Sequence, residues 1–156
     1  MSAAFRAPRR SQPPGAAPLG DLRDMDGVQA LCVLLWRDWA DGTDGRDRVR
    51  RVFDTALGPA APAALRHWSD FATALTRGAR RPLLCRATGC PCVGADEAAV
   101  AQVLTLAALT EREDAMLTLS LLVPADRLLP ALHSAEQAGL AIIRATLRME
   151  RMDLPR

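Results

Sequence analysis

Three cysteines fall close together as Cys85, Cys90 and Cys92, in the spacing C-x4-C-x-C, with Gly89 and Pro91 between them. Thiolates are natural ligands of zinc and of iron–sulfur clusters, so one chemistry for this segment is a metal site in which Cys85, Cys90 and Cys92 hold zinc or an iron–sulfur cluster. A fourth ligand would come from Cys32, His67, His133 or Asp96. No second half-site follows, which makes the spacing far less specific than a doubled C-x2-C.

The second chemistry is that of reactive thiols. Cys90 and Cys92 stand just before a predicted helix start, where the positive end of the helix dipole favours thiolate, and Arg86 adds positive charge. On this reading Cys90 or Cys92 reacts and Cys85 resolves. A Cys90–Cys92 disulfide would close a small strained ring, so Cys85–Cys90 is the expected reversible bridge. The plainest alternative is that the cysteines are small buried apolar residues and that Gly89 and Pro91 only shape a tight connection.

Other chemistries lack their residues. All 20 basic residues are arginine, and lysine, asparagine and tyrosine are missing altogether, a bias that fits a GC-rich bacterial genome. Schiff-base and P-loop lysines are thereby excluded. His67 and His133 each stand alone on a predicted helix, and Ser69 and Ser134 are too near them in sequence to face them as nucleophile and base. The acidic pairs Asp96-Glu97 and Glu111 with Glu113-Asp114 fall at helix starts, where carboxylates serve capping and the helix dipole. No Glu-x-x-His motif for a carboxylate metal site accompanies them.

Charge and hydropathy narrow the partners. A net charge of +2 argues against a dedicated nucleic-acid binder, and the arginines at 46, 48, 50 and 51 are compensated by Asp44, Asp47 and Asp54. No apolar run approaches the roughly 18 residues of a membrane helix. Arg6, Arg9 and Arg10 are not followed by the apolar segment of a signal peptide, so a cytoplasmic protein with reduced cysteines is expected.

The elements that must position these residues follow from periodicity. A length of 156 residues and 49% hydrophobic residues fit one domain with a core of useful size. Residues 1–20, rich in Pro, Ala and Arg, read as a disordered tail. Residues 21–156 read as a single helical domain whose halves are separated by the loop at 79–94. Val28, Leu31, Leu35 and Trp39 mark a first helix, with Trp36 and Trp39 in the core. Asp41 to Gly45 reads as a turn, and Val49, Val52, Phe53 and Ala56 mark a second helix. Leu65, Trp68, Phe71 and Leu75 mark a third.

Asp96 is placed to cap a fourth helix, and Thr110 with Glu113 to form a capping box for a fifth over 111–123. That fifth segment also alternates like a strand, with helix favoured by its Ala, Met and Leu content. A sixth helix spans about 126–138 and ends at Gly139 as a C′ glycine. Residues 140–150 alternate apolar and polar and lean to strand. The fold class is therefore mainly α, a single compact helical domain of about five or six helices with a cysteine-containing loop; the alternative is α+β with one or two strands in the C-terminal third.

Two functions compete on these residues. One is a non-catalytic helical module that acts through a protein partner, stabilised by metal at the loop. The other is a thiol-based redox sensor or small oxidoreductase using Cys90 and Cys92 with Cys85. The first calls for buried or liganded sulfurs, and the second for an exposed, acidic thiol.

Overall fold

The computed structural model describes residues 13–153. Among them are six α-helices: α1 (Gly27–Ala40), α2 (Gly42–Leu57), α3 (Ala61–Gly78), α4 (Ala95–Ala108), α5 (Arg112–Leu122) and α6 (Ala125–Asp153). Two short strands, β1 (Pro18–Asp21) and β2 (Cys92–Gly94), pair antiparallel with Asp21 opposite Cys92 and Pro18 opposite Gly94. The protein is thus mainly α, with one small sheet.

Helix α6 is the centre of the packing, lying against α3 and α4. The core draws Phe53 from α2, Trp68, Phe71 and Leu75 from α3, Leu104 from α4, and Leu132 and Ile142 from α6, all buried. These recur at three- and four-residue spacings because an α-helix returns to the same face every 3.6 residues. Helix α1 starts where Asp26 accepts the Gln29 amide at 2.9 Å, an N-cap that satisfies one of the unpaired amides of the first turn.

The C-terminal third departs from the sequence reading. Residues 140–150 are not a strand, and Gly139 does not end a helix; α6 runs unbroken to Asp153. Ala138, Ala141, Ile142 and Ala145 are buried along one side, while Arg144, Arg148 and Arg151 are exposed on another. An alternating pattern and a helical one coincide over so short a stretch, and the buried face decides between them. Gly139 serves close approach of two helices. A Cβ there would sit 2.2 Å from the Leu104 carbonyl oxygen of α4, a backbone atom that cannot move aside. Gly139→Ala should therefore force α4 and α6 apart and lower stability by about 1–3 kcal/mol, measured by urea denaturation. An unchanged midpoint would contradict that packing.

Three smaller corrections have local causes. Helix α5 forms as favoured, but Thr110 takes a φ of 65° and Glu111 becomes an N-cap without a side-chain bond, so the expected capping box is not made. The turn at Asp41–Gly45 shrinks, with α2 already under way at Gly42. The two strands lie away from the C-terminal third: β2 is in the cysteine loop, and β1 is in the segment read as tail. Of that segment, residues 1–12 lie outside the described residues, while Pro14–Ala16 form a 3-10 turn leading to β1. No described helix is long and apolar enough to cross a membrane.

Candidate thiol site

The loop between α3 and α4 has little regular structure of its own, so its backbone groups need partners elsewhere. The first turn of α4 supplies them. Glu97 Oε2 accepts the Gly94 amide at 2.8 Å, and Glu97 Oε1 accepts the Arg86 amide at 2.7 Å. Asp96, which does not act as the helix cap expected of it, accepts the Leu84 amide at 2.8 Å and both terminal nitrogens of Arg81 at 2.7 Å. Gly94 takes the N-cap position instead.

Opposite Glu97 stands Arg37 of α1, and both are shut off from solvent, with relative exposures of 1% for Arg37 and 0% for Glu97. Arg37 Nε donates to Glu97 Oε1 at 2.7 Å and Nη2 donates to Oε2 at 3.0 Å, a two-pronged ion pair. The remaining donors of the same guanidinium reach the loop: Nη1 donates to the Cys90 carbonyl at 2.6 Å and Nη2 to the Cys92 carbonyl at 2.8 Å. Burial alone would push the Glu97 carboxyl up, but Arg37 and the Gly94 and Arg86 amides hold it below the usual carboxylate range. Asp96 is likewise depressed against its burial, by Arg81 and the Leu84 amide.

Depressed carboxylates make stability depend on pH with a defined sign. Their contribution is fully present above the unfolded-state values, near pH 4, and is lost as pH falls through the lower folded-state values. The unfolding free energy should therefore hold level above about pH 5 and fall below about pH 4, more steeply in the native chain than in Asp96→Asn. Equal acid sensitivity of the two would contradict the role given to Asp96.

The thiols lie on this framework. Cys90 and Cys92 are half-buried, with their Sγ atoms 2.8 Å apart. The Cys90 thiol is lowered from its ordinary value first by hydrogen bonds from the thiol and the amide of Cys92, then by the positive charges of Arg37 and Arg86. Cys92 moves the other way, raised by its bond to Cys90 and by desolvation. Cys85 is exposed as a residue, and its thiol is raised by desolvation of the sulfur and by the Glu97 carboxylate. Cys32 is buried in the core, where burial raises its thiol strongly, the setting of an inert apolar cysteine.

The structure thus brings Cys90 and Cys92 together. Among the described residues no three His, Cys, Asp or Glu side chains are gathered as a metal ion would need.

The tripeptide Cys90-Pro91-Cys92 is held at each of its carbonyls. Arg37 takes the first and third, and the Leu22 amide donates to the Pro91 carbonyl at 2.8 Å. Leu22 directly follows β1, which pairs with β2, and the Ala95 amide donates to the Ala17 carbonyl at 3.0 Å. Arg86 reaches the Ala16 carbonyl, and Gly15 is pressed so closely on Asp96 that a Cβ there would overlap its carboxylate. The segment from Gly15 to Leu22 is therefore laid across the cysteine loop and the start of α4.

The other sequence candidates are elsewhere. His133 is exposed, 3.8 Å from Glu136, and His67 is half-buried at the start of α3. In the arginine-rich stretch of α2, Arg48 pairs with Asp38 and Asp41, and Arg46 lies over the Trp39 ring at 5.0 Å from its centroid. Arg37 is not among the residues that the sequence singles out, and Asp96 and Glu97 are expected there as helix-start acids, with Asp96 also a candidate fourth metal ligand. Arg37 follows Val33 by four residues but lies off the stripe of Val28, Leu31 and Leu35, so no local signal marks it as buried. No family model, curated protein or solved structure matches the chain.

Proposed function

We propose that the protein is a thiol-based redox regulatory module in which Cys90 and Cys92 exchange between dithiol and disulfide. The observation that carries this reading is the 2.8 Å approach of the two sulfurs beside the Arg37 guanidinium. The co-reactant is a disulfide, R–S–S–R′. The Cys90 thiolate attacks one of its sulfurs, forms a mixed disulfide with the R sulfur and expels R′S⁻, which takes up a proton. Cys92, once deprotonated, attacks the Cys90 sulfur and expels RS⁻. Two electrons pass from the protein to the disulfide, which leaves as two thiols, while the protein keeps a Cys90–Cys92 bond.

Ring strain, which favoured Cys85 as the resolving partner in the sequence reading, supports reversibility here. A strained disulfide is easily reduced, and labile bridges of that kind suit regulation better than a structural role. The state of the pair also has a route outward. Closing the bond draws the sulfurs together from 2.8 Å and strains the short ring through Pro91, where the carbonyls are those held by Arg37 and Leu22. Oxidation accordingly loosens the Gly15–Leu22 segment from the loop.

Hydrogen exchange on the reduced and oxidised chain tests this. Amides of residues 15–22 and 84–94 should exchange at least about tenfold faster after oxidation, with α3 and α6 unchanged. Uniform exchange in both states would remove the regulatory part of the reading. Metal analysis on the anaerobically purified chain tests the competing metal-stabilised module, which requires stoichiometric zinc or iron and thiols protected until unfolding.

A further inference from the structure

Helix α6 sorts its charges by face. Glu136 is turned to Arg112 of α5, and Glu150 lies toward Gly27 of α1, 3.3 Å from where a Cβ on that glycine would stand. Arg144, Arg148 and Arg151, spaced by four and three residues, share another face and are exposed. That face forms one wall of two adjoining clefts that meet at Leu57, one of about 720 Å3 and one of about 120 Å3. The opposite wall is the end of α2, the turn after it and the start of α3, including Pro59 and His67.

The lining spans Gln137 to Met152 on α6, a groove about 20 Å long at 1.5 Å per residue. Leu57, Pro59, Leu140 and Met152 supply its apolar surface, and no carboxylate of the described residues lines it. None of the three arginines forms an ion pair among the described residues.

We propose that this groove is a docking site for an acidic amphipathic helix of a partner protein. Apolar side chains three and four residues apart would lie on Leu57, Leu140 and Met152. Carboxylates at the same spacing would meet Arg144, Arg148 and Arg151, which together span about 10 Å along α6. Charge and shape select this occupant. Among the described residues no Phe or Trp lines the groove for nucleic-acid bases to stack on, and a net charge of +2 is small for a polyanion binder. The chain's own residues 1–12 carry three arginines and no acid, the wrong sign to fill it. The inference is independent of the thiol chemistry.

Selection of helical peptides of about 16 residues from a randomised display library on the full chain tests it, followed by fluorescence polarisation of the selected peptides. The control is the triple variant Arg144→Gln, Arg148→Gln, Arg151→Gln, whose fold is checked by circular dichroism. The selected sequences should be rich in Glu and Asp with apolar residues three and four apart. They should bind the triple variant at least about tenfold more weakly and lose affinity as ionic strength rises from about 0.1 to 0.5 M. Selected peptides that lack acids, equal binding to the triple variant, or no enrichment would overturn the proposal. So would tighter binding of a single-stranded oligonucleotide at the same arginines, or a dimer of this chain that the triple substitution dissociates.

Discussion

Glu97→Ala should lower the unfolding free energy by about 3–5 kcal/mol, because it leaves the Arg37 guanidinium buried without its counter-charge. The loss comes from the orphaned partner more than from the pair's net worth, and a companion substitution separates the two. Arg37→Met with Glu97→Leu removes both charges and fills the space with apolar volume, so the double variant should recover part of the stability lost in either single one.

The loop should not recover with it. Arg37 holds the carbonyls of Cys90 and Cys92, and Glu97 holds the Arg86 and Gly94 amides, so in the double variant those four backbone groups lose their charged partners. Chemical denaturation reads the first effect and hydrogen exchange over residues 84–94 the second. A Glu97→Ala variant within about 0.5 kcal/mol of the native chain would show that water replaces the carboxylate at little cost, and the Arg37–Glu97 pair would lose its part in holding the loop.

The second large effect is on reactivity. In the native chain at pH 7, Cys90 should react first with a disulfide reagent such as DTNB, since it alone of the three loop cysteines has a lowered thiol, while Cys92 and Cys85 are raised. Cys90→Ser should slow that reaction by about tenfold, because it removes the one loop thiol that is held low. Cys92→Ser should keep an initial reaction and stop at a stable mixed disulfide on Cys90, because no neighbouring thiol remains to release it. Cys85→Ser should leave both steps intact. Stopped-flow absorbance with mass mapping of the labelled cysteine distinguishes the three variants. An unchanged rate in Cys90→Ser would move the reactive sulfur elsewhere.

How far the sequence could be read depends on which signals are local. Helices α1 to α3 were legible because Leu31 with Leu35, Val49 with Phe53, and Trp68 with Phe71 and Leu75 repeat at helical spacing. The C-terminal run misled because Ala141, Ile143 and Ala145 fit two periods at once, and because Gly139 resembles a helix stop. Its real constraint is the carbonyl of Leu104, some 35 residues away in sequence. The strands were missed for a similar reason: β1 and β2 are too short to show alternation, and they exist through pairing between residues 18–21 and 92–94.

The cysteine cluster was visible from residue types alone, but the choice of partner was not. Ring size pointed to Cys85, whereas the backbone between Ala87 and Cys92 sets Cys90 beside Cys92. Arg37 was hidden because an arginine next to Trp36 reads as the polar edge of a helix. Only its tertiary partners, Glu97 at a separation of 60 residues and the carbonyls of the loop, show it buried.

A redox titration against defined mixtures of reduced and oxidised glutathione tests whether Cys90 and Cys92 form the exchanging pair. After alkylation and peptide mass analysis, a single two-electron transition is expected in which the peptide containing both Cys90 and Cys92 passes from doubly alkylated to unalkylated, with a mass two hydrogens below that of its free dithiol, and Cys85 stays alkylated throughout. A bridge that includes Cys85, or three alkylated loop cysteines at the most oxidising mixture, would contradict it.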